Sequence, residues 1–295
     1  MKLAAIDIGS NAVRLLISEV VQYERAKNNP HFNKLNFLRV PIRLGFDVFE
    51  KNYISKEKID MLVQTLKAFR HLINAYNVEN IKVCATSAMR DAENSEKVIE
   101  IIKKETGLDI EVITGKEEAK LIYENHIAEE LDNKVKYLYI DVGGGSTEIS
   151  FFDKGRLAYN NSFNIGTIRL LKDSIQEKDW QHFKEGIKKA TKNNADIAAI
   201  GSGGNINKVF SLSKKKEGKA LSIDLLHKYF NELKELTIEE RIKHYSLKLD
   251  RADVIVPALE IYLNAMLWAG CEKIYVPKIG LADGLIHHLW EELSK

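Results

Sequence analysis

The stretch Asp7-Ile8-Gly9-Ser10-Asn11 stands near the start of this 295-residue chain, and Asp141-Val142-Gly143-Gly144-Gly145-Ser146 repeats its pattern in the middle. Each copy follows one apolar run and precedes another, so the repeated unit is predicted to be a strand, an acidic glycine-rich turn and a second strand. Such a turn presents backbone N–H groups around a point, with a carboxylate beside them, which suits phosphate and a hard cation. Two copies facing each other across a cleft would hold a phosphate chain, which predicts phosphate transfer or phosphate hydrolysis.

The composition is that of a folded protein with room for two domains. Apolar residues make up 45% and charged residues 29%, and the formal net charge of +2 is too small to indicate nucleic-acid binding. Cys84 and Cys271 lie far apart without metal-ligand spacing, and the N-terminus lacks a signal-peptide pattern. No apolar run approaches the length of a membrane span. We therefore expect a cytoplasmic protein that binds neither nucleic acid nor membrane.

Predicted strands and helices alternate along the whole chain, which indicates α/β layers with largely parallel strands. Pro41 and Gly45 predict irregular chain after the opening strands, and Asn205 is predicted to cap a helix. The elements that matter most below are a strand meander over residues 1–8, 13–21 and 36–40, a helix from Ser55 to Tyr76, and a helix over residues 116–130.

The second turn is the stronger of the two signals. Three consecutive glycines cost backbone entropy, which makes sense where the chain must approach a ligand closely. Ser146 can donate a hydrogen bond to a phosphate oxygen, and Asp141 and Glu148 can hold a cation. The alternative is a flexible hairpin connection, which the presence of two matching turns disfavours. The first turn alone is weak, because a strand that ends in Asp-x-Gly is often only a tight turn.

For two further segments, a phosphate-binding role and an ordinary structural role are about equally favoured. Residues 201–204 read Gly-Ser-Gly-Gly between a strand and a helix, which indicates either a phosphate-binding turn or an ordinary connection. Arg90 follows a predicted strand end, where it either contacts phosphate or forms a surface ion pair with Asp91 or Glu93.

At two other places, spacing alone favours a structural or solvent-exposed role for the charged residues over a functional one. Glu117 and Glu118 begin a predicted helix, where acids are favoured by the helix dipole, although a carboxylate could also activate water. The short run of Lys214, Lys215 and Lys216, with Lys208 nearby, is more typical of a solvated loop than of a track for a polyanion.

Seven segments, taken in order, resemble the motifs of exopolyphosphatases and guanosine pentaphosphate phosphohydrolases, the Ppx/GppA family, in its short two-domain form. They are DIGSNAVRLLI, ATSAMRDAEN, TGLDIEVITGKEEAKLIY, YIDVGGGSTEI, GTIRL, GSGG and DRADVIVPALEI, and the match runs from residue 4 to about residue 285. The resemblance implies two duplicated α/β domains of the actin-like, Hsp70 and sugar-kinase type, which is ribonuclease H-like, with an interdomain active-site cleft. We expect the first domain over residues 1–125, completed by residues 281–295, and the second over residues 126–280.

The resemblance also implies the activity, the cofactor and the partners. The expected reaction releases terminal orthophosphate from inorganic polyphosphate, from pppGpp or from both, with Mg²⁺ or Mn²⁺. Expected partners are therefore polyphosphate and guanosine penta- or tetraphosphate. A second copy of the chain, in a homodimer, is an alternative that the sequence does not decide. Two alternatives remain: a non-catalytic sensor that binds ppGpp or polyphosphate, and an ATP-dependent phosphotransferase of the same fold.

Residue roles follow from the same resemblance, position by position. Glu118 matches the proposed catalytic base, with Asp141 and Glu148 as the acids linked to metal and water. The expected phosphate contacts are Asp7, Ser10, Asn11, Arg90, Gly143, Gly144, Gly145, Ser146, Gly201, Gly203 and Gly204. The chain departs from the family pattern at Ala282-Asp283, where an arginine and a glutamate are usual.

Overall fold

The computed structural model describes residues 1–22, 30–123, 135–192 and 194–294. From residue 124 onward the helix predicted over 116–130 lies outside the described residues. The strands are β1 Lys2–Ile8, β2 Val13–Val21, β3 His31–Val40, β4 Asn80–Ala85, β5 Glu111–Val112, β6 Lys136–Val142, β7 Thr147–Asp153, β8 Arg156–Phe163, β9 Ile197–Ser202, β10 Leu221–Ser222 and β11 Lys273–Tyr275. The helices are α1 Leu44–Lys51, α2 Lys56–Ala75, α3 Ser87–Asp91, α4 Ser95–Thr106, α5 Gly115–Tyr123, α6 Thr167–Leu171, α7 Glu177–Ala190, α8 Gly204–Leu212, α9 Ile223–Lys234, α10 Ile238–Tyr245, α11 Leu249–Ala252, α12 Ile255–Ala269 and α13 Leu281–Leu293.

The chain divides into two compact units. Unit 1 comprises Met1–Thr114 and Leu281–Lys295, and unit 2 comprises Gly115–Gly280. The sequence placed the boundary between residues 125 and 126, which lies outside the described residues. In the structure the division falls before α5, because this helix packs on β7 and β8 of the second unit.

Unit 1 is built on a five-stranded sheet in the order β3-β2-β1-β4-β5. The first three strands form an antiparallel meander, and β4 and β5 continue the sheet parallel to β1. The helix α13, from the end of the chain, packs on β1, β2 and β4 of this sheet. Within α13, Asp283 forms an ion pair with Lys34 of β3, so the residue that departs from the family pattern helps to attach the helix.

Unit 2 repeats this topology on a six-stranded sheet in the order β10-β11-β9-β6-β7-β8. Here β6, β7 and β8 form the antiparallel meander, while β9 runs parallel to β6 and β11 runs parallel to β9. The two units therefore share a strand order and a strand direction, as expected for the duplicated actin-like fold. The two acidic glycine turns occupy the same place in each copy, between the first and second strands.

The two faces of the second sheet differ in character because side chains alternate along each strand. Leu138, Ile140 and Val142 of β6 belong to the core that also contains much of α12 and α7. Asp141 lies on the opposite face of the same strand. The carboxylate is thus presented away from the apolar core, on the side of the sheet that also carries Glu148.

Two segments of unit 1 differ from the sequence prediction. The third strand begins at His31 rather than at residue 36, and an irregularity in its register beside Ile17 and Ser18 interrupts the alternation on which the prediction depended. The helix α1 begins at Leu44, so Gly45 lies in its first turn, and the irregular chain that Pro41 and Gly45 predicted is confined to residues 41–43.

The stretch Leu249–Ala269 is long and apolar enough, by composition alone, to cross a membrane. Inside the fold, 67% of its most apolar window is buried, which is typical of the core helix of a globular protein. Glu260 and the charged residues at positions 250, 251 and 253 interrupt this stretch, so it contains no uninterrupted apolar run of membrane-spanning length.

We expect the aromatic cluster of unit 2 to carry much of the stability of that unit. Phe183 is fully buried and contacts Phe163, Trp180 and Trp268 with ring centroids 5.0 to 6.3 Å apart. Phe183→Ala should lower the free energy of unfolding by about 3–5 kcal/mol, because it removes apolar burial and leaves a cavity. Chemical denaturation monitored by circular dichroism measures this change.

The matched control is Phe37→Ala, because the Phe37 side chain on β3 is 53% exposed. Its free energy of unfolding should change by less than about 1 kcal/mol. Equal losses for the two variants would show that the buried cluster carries no special share of the stability.

Candidate functional site

The two acidic glycine turns close with the same hydrogen bond. In unit 1 the Gly9 amide donates to the carbonyl oxygen of Ala12 at 3.1 Å, and in unit 2 the Gly143 amide donates to Ser146 at 2.9 Å. Each turn also joins strands paired in the same register, since Ile8 faces Val13 and Val142 faces Thr147. The duplication seen in the sequence is therefore a duplication of backbone geometry.

The carbonyl oxygens of the second turn are held by α6. The amides of Thr167 and Ile168 donate to the carbonyl oxygens of Gly143 and Gly144 at 3.0 and 2.8 Å, and Arg169 Nε donates to Gly145 O at 2.7 Å. Carbonyl oxygens repel anions, so their attachment to α6 keeps this negative side of the turn directed at the helix. The turn is thereby suited to offer its N–H side to an anion.

The first turn is held in the same way by Arg43 and by Gly45 at the start of α1. The Gly45 amide donates to Ser10 O at 2.8 Å, and the Arg43 amide donates to Asn11 O at 3.1 Å. Ser10 Oγ lies 2.8 Å from Ser87 Oγ, which places the start of α3 beside the turn. Ser10 and Asn11 are therefore in a fixed turn, and their contact with phosphate stays a prediction.

A row of oxygen-bearing side chains crosses four strands of unit 2. Asp141 on β6 lies directly opposite Glu148 on β7, Ser162 follows on β8, and Ser202 flanks Asp141 on β9. Ser162 Oγ donates to Glu148 Oε1 at 2.8 Å. Because register partners point to the same side of a sheet, these four side chains share one face.

The acidic pair in this row fits a hard divalent cation. Side chains of register partners begin about 5 Å apart, and like charges at that spacing destabilise a sheet unless a cation lies between them. Among the described residues, no group of three or more His, Cys, Asp or Glu side chains comes together to hold a metal. A cation bound here would take two carboxylates and complete its shell with water and phosphate, which is the habit of Mg²⁺.

In unit 1 the residue opposite the turn acid has the opposite charge. Asp7, which corresponds to Asp141, lies opposite Arg14 and forms an ion pair with its guanidinium. Its negative charge is compensated within the protein, so the two copies have diverged: an acid and a base face each other in unit 1, and two acids do so in unit 2. Unit 2 is therefore the better candidate for a cation site.

The structure distinguishes the two acids that begin α5. Glu118 is 9% exposed, whereas Glu117 points to solvent. The helix packs on β7 and β8, and the Cα of Gly115 lies against the side chain of Ser162, the residue that donates to Glu148. The start of α5 therefore lies beside Ser162 at the edge of the acidic row, while Glu117 fits the ordinary role of an acid at a helix start.

The three glycines of the third turn have different environments. The Cα of Gly201 faces Ile274, Ile206 and the ring of Tyr262, so core packing explains the missing side chain there. Gly203 has φ +103°, which favours glycine, and a side chain on it would begin 3.2 Å from Asp141 Oδ1. Helix α8 begins at Gly204 with Gly203 at the N-cap, two residues before the predicted cap Asn205.

Three residues at the second and third glycine turns were not among the predicted site residues. Arg251 of α11 fills the space in front of Gly204, and its Nη1 donates to Asn205 Oδ1 at 3.3 Å. Tyr262 of α12 donates to the backbone oxygen of Ser202, and burial together with the charges of Asp141 and Glu148 raises the pKa of its hydroxyl well above its usual range. Arg169 supports the second turn. Both arginines lie in quoted motifs, but only contacts between distant segments reveal their roles.

Arg90 makes the ion pair that the sequence offered as one alternative, and it also makes a backbone contact that the sequence did not predict. Its Nη1 donates to the carbonyl oxygen of Ile113 at 2.8 Å, and its Nε lies 3.9 Å from Asp91 Oδ1. The ion pair with Asp91 is long, so the backbone contact is the more definite one. Contact between Arg90 and phosphate stays a prediction.

The lysine run lies at the far end of α8 from the glycine turn. Lys214–Lys216 follow the last turn of the helix, Lys208 lies midway along it, and Lys215 Nζ donates to Ala220 O at 2.8 Å. A nine-residue helix is about 13 Å long, so a polyanion would need several units to extend from the turn to the run. The polyanion track stays a prediction.

Comparison with known proteins identifies a family that this chain matches. The family model described as the Ppx/GppA phosphatase family matches residues 23–292. The chain is 31% identical over 298 residues to the bifunctional 3-dehydroquinate synthase/phosphatase of Fusobacterium nucleatum, covering 92% of this chain and 44% of that protein. It is 31% identical over 150 residues to exopolyphosphatase 1 of Mycobacterium tuberculosis, covering 51% of this chain and 42% of that protein. The matched region thus spans less than half the length of either relative.

A solved structure resembles the whole chain. The Aquifex aeolicus member of the Ppx/GppA protein family has a TM-score of 0.78 and 28% sequence identity to it, with 100% of this chain and 99% of that chain covered. The fold described above is therefore shared over its full length.

We expect the close approach of α6 to the second turn to be essential for anion binding. A side chain on Gly166 would overlap the backbone of Gly144 and Gly145, which cannot move aside as a flexible side chain could. Gly166→Ala should therefore displace the turn and weaken pyrophosphate binding at least about tenfold, which corresponds to about 1.4 kcal/mol. Isothermal titration calorimetry measures this affinity.

The control is Leu171→Ala, at the end of the same helix, where the side chain is 37% exposed. This variant should bind pyrophosphate as the unmodified protein does. Unchanged affinity in Gly166→Ala would show that the position of the turn does not determine anion binding.

Proposed function

Because the chain belongs to the Ppx/GppA phosphatase family, we propose that it hydrolyses phosphoanhydride bonds and releases terminal orthophosphate from inorganic polyphosphate. The observation that carries this proposal is the acidic pair of Asp141 and Glu148 beside the glycine turn, with the buried Glu118 on the helix that packs on β7 and β8. Similarity to exopolyphosphatase 1 supports polyphosphate as the substrate. The terminal bond of pppGpp has the same chemistry, which makes pppGpp the alternative substrate.

In the proposed mechanism, positioning and charge stabilisation do most of the work, since water is the nucleophile. The turn at residues 143–146 would bind the terminal phosphate through backbone amides and the Ser146 hydroxyl. Glu118 would orient a water molecule in line with the phosphorus atom and accept its proton as the P–O bond forms. The remaining chain leaves with the bridging oxygen, and no covalent intermediate with the protein is required.

Asp141 and Glu148 would hold a divalent cation, Mg²⁺ or Mn²⁺, because their oxygens are hard ligands and lie opposite each other in the sheet. When bound, the cation supplies positive charge that offsets the charge on the phosphate oxygens. Ser162 keeps Glu148 in place through its hydrogen bond, so the carboxylate is oriented before a cation binds.

Phosphate release tests the proposal directly. The purified protein is incubated with polyphosphates of several lengths and with pppGpp, first with Mg²⁺, then after treatment with EDTA, then with Mg²⁺ restored. We expect orthophosphate release that EDTA abolishes and Mg²⁺ restores. Full activity in strong chelator contradicts the cation, and no release from either substrate contradicts hydrolysis.

The same assay separates the two alternatives. A sensor would bind ppGpp or polyphosphate without turnover, so binding measured by calorimetry would be accompanied by no phosphate release. A phosphotransferase would consume ATP only when an acceptor is present and would leave polyphosphate intact in water.

Glu118→Gln isolates the proposed base. The amide keeps the shape of the side chain but cannot accept a proton, so kcat should fall by roughly two to four orders of magnitude. Substrate affinity should survive or improve, because a negative charge near the phosphates is removed. Single-turnover phosphate release measures the rate, and calorimetry measures binding separately.

Glu117→Gln is the matched control, since it makes the same change one residue earlier on a side chain that points to solvent. It should cost little beyond a modest loss of helix stability. If Glu117→Gln is inactive and Glu118→Gln is active, the base is the neighbouring residue. If both remain active, Glu148 is the next candidate.

A further inference from the structure

Ser202 has a buried hydroxyl that the fold itself does not satisfy. The residue is the last of β9 and is 0% exposed. Within the described residues, Ser202 Oγ has no hydrogen-bond partner. A buried hydroxyl without a partner lowers the stability of a fold, so its retention calls for a ligand that the hydroxyl contacts.

The position of Ser202 indicates which ligand that is. It is the register partner of Asp141 across β6 and β9, and Asp141 is in turn the partner of Glu148 across β6 and β7. The hydroxyl and both carboxylates therefore lie in one row on one face of the sheet. The turn that follows Ser202 also approaches the acid, because a side chain on Gly203 would begin 3.2 Å from Asp141 Oδ1.

The backbone of Ser202 is fixed by a separate contact. The Tyr262 hydroxyl donates to the carbonyl oxygen of Ser202 and lies 3.5 Å from that of Ile140, so it joins the ends of β9 and β6 from the core side. The side chain of Ser202 is thus held beside Asp141 by an interaction in which its own hydroxyl takes no part.

We propose that Ser202 Oγ is a neutral oxygen ligand of the cation that Asp141 and Glu148 hold, an inference that rests on the proposed function. Hard divalent cations combine carboxylates with neutral oxygens, and among the described residues no three His, Cys, Asp or Glu side chains form a cluster that could hold a metal ion. Two carboxylates and one hydroxyl would leave the other coordination positions to water and substrate phosphate.

Mn²⁺ binding to the substrate-free protein, followed by electron paramagnetic resonance, tests this inference without any turnover. Ser202→Ala should weaken Mn²⁺ binding by about 10–100-fold, the range found when a group that supports a metal site is removed. Without metal, the same variant should unfold at the same or a higher temperature than the unmodified protein, because an unsatisfied buried hydroxyl is gone. A purely structural role for the hydroxyl predicts the reverse pair of results.

Two further variants sharpen the test. Ser202→Cys places a soft sulfur at the same position, so its preference for Cd²⁺ over Mn²⁺ should rise relative to the unmodified protein. Ser150→Ala is the matched control, since Ser150 is 2% exposed and lies on the same face of β7, two residues beyond Glu148. It should bind Mn²⁺ normally.

The outcomes separate this inference from the proposed function. Unmodified protein that binds no Mn²⁺ overturns the cation of the proposed function and this inference together. Equal Mn²⁺ affinity in the unmodified protein and Ser202→Ala, or an unchanged metal preference in Ser202→Cys, overturns the ligand role of Ser202 alone.

Discussion

The pairing of Asp141 with Glu148 across two antiparallel strands is the constraint on which the candidate site depends. Two carboxylates directly opposite each other repel, and such a pair destabilises a sheet when nothing offsets its charge. Neighbouring features surround this pair: Ser162 donates to Glu148, the glycine turn places backbone amides at the strand ends, and α5, which carries the buried Glu118, packs on the same strands.

Comparison of the two units shows how a duplicated fold acquires a specialised copy. Both units have the same strand order and the same hydrogen bond across the turn. In unit 1, Arg14 occupies the place opposite the turn acid and neutralises it, whereas in unit 2 that place belongs to Glu148. The residue opposite the turn acid in the second strand is therefore a base in unit 1 and an acid in unit 2.

Where the sequence allowed two roles for a residue, the burial of that residue in the fold distinguished between them. Glu117 and Glu118 are indistinguishable by spacing, since both are acids in the first helical turn, but packing of α5 on β7 and β8 buries one and exposes the other. For Gly201, the sequence suggested a phosphate contact, and the structure supplies a packing reason in the ring of Tyr262. Contacts of this kind join residues far apart in the chain, so local patterns do not contain them.

The alternation of strands and helices, the duplication and the two acidic turns were predictable from the sequence, because hydrophobic periodicity and glycine-rich turns are local properties of the chain. The quoted motifs also indicated the family. Tertiary structure alone decided which side chains meet: Arg169 on the second turn, Arg251 on Gly204, and Ser202 beside Asp141. These meetings depend on strand register and helix packing, which fix distances between segments that the sequence leaves dozens of residues apart.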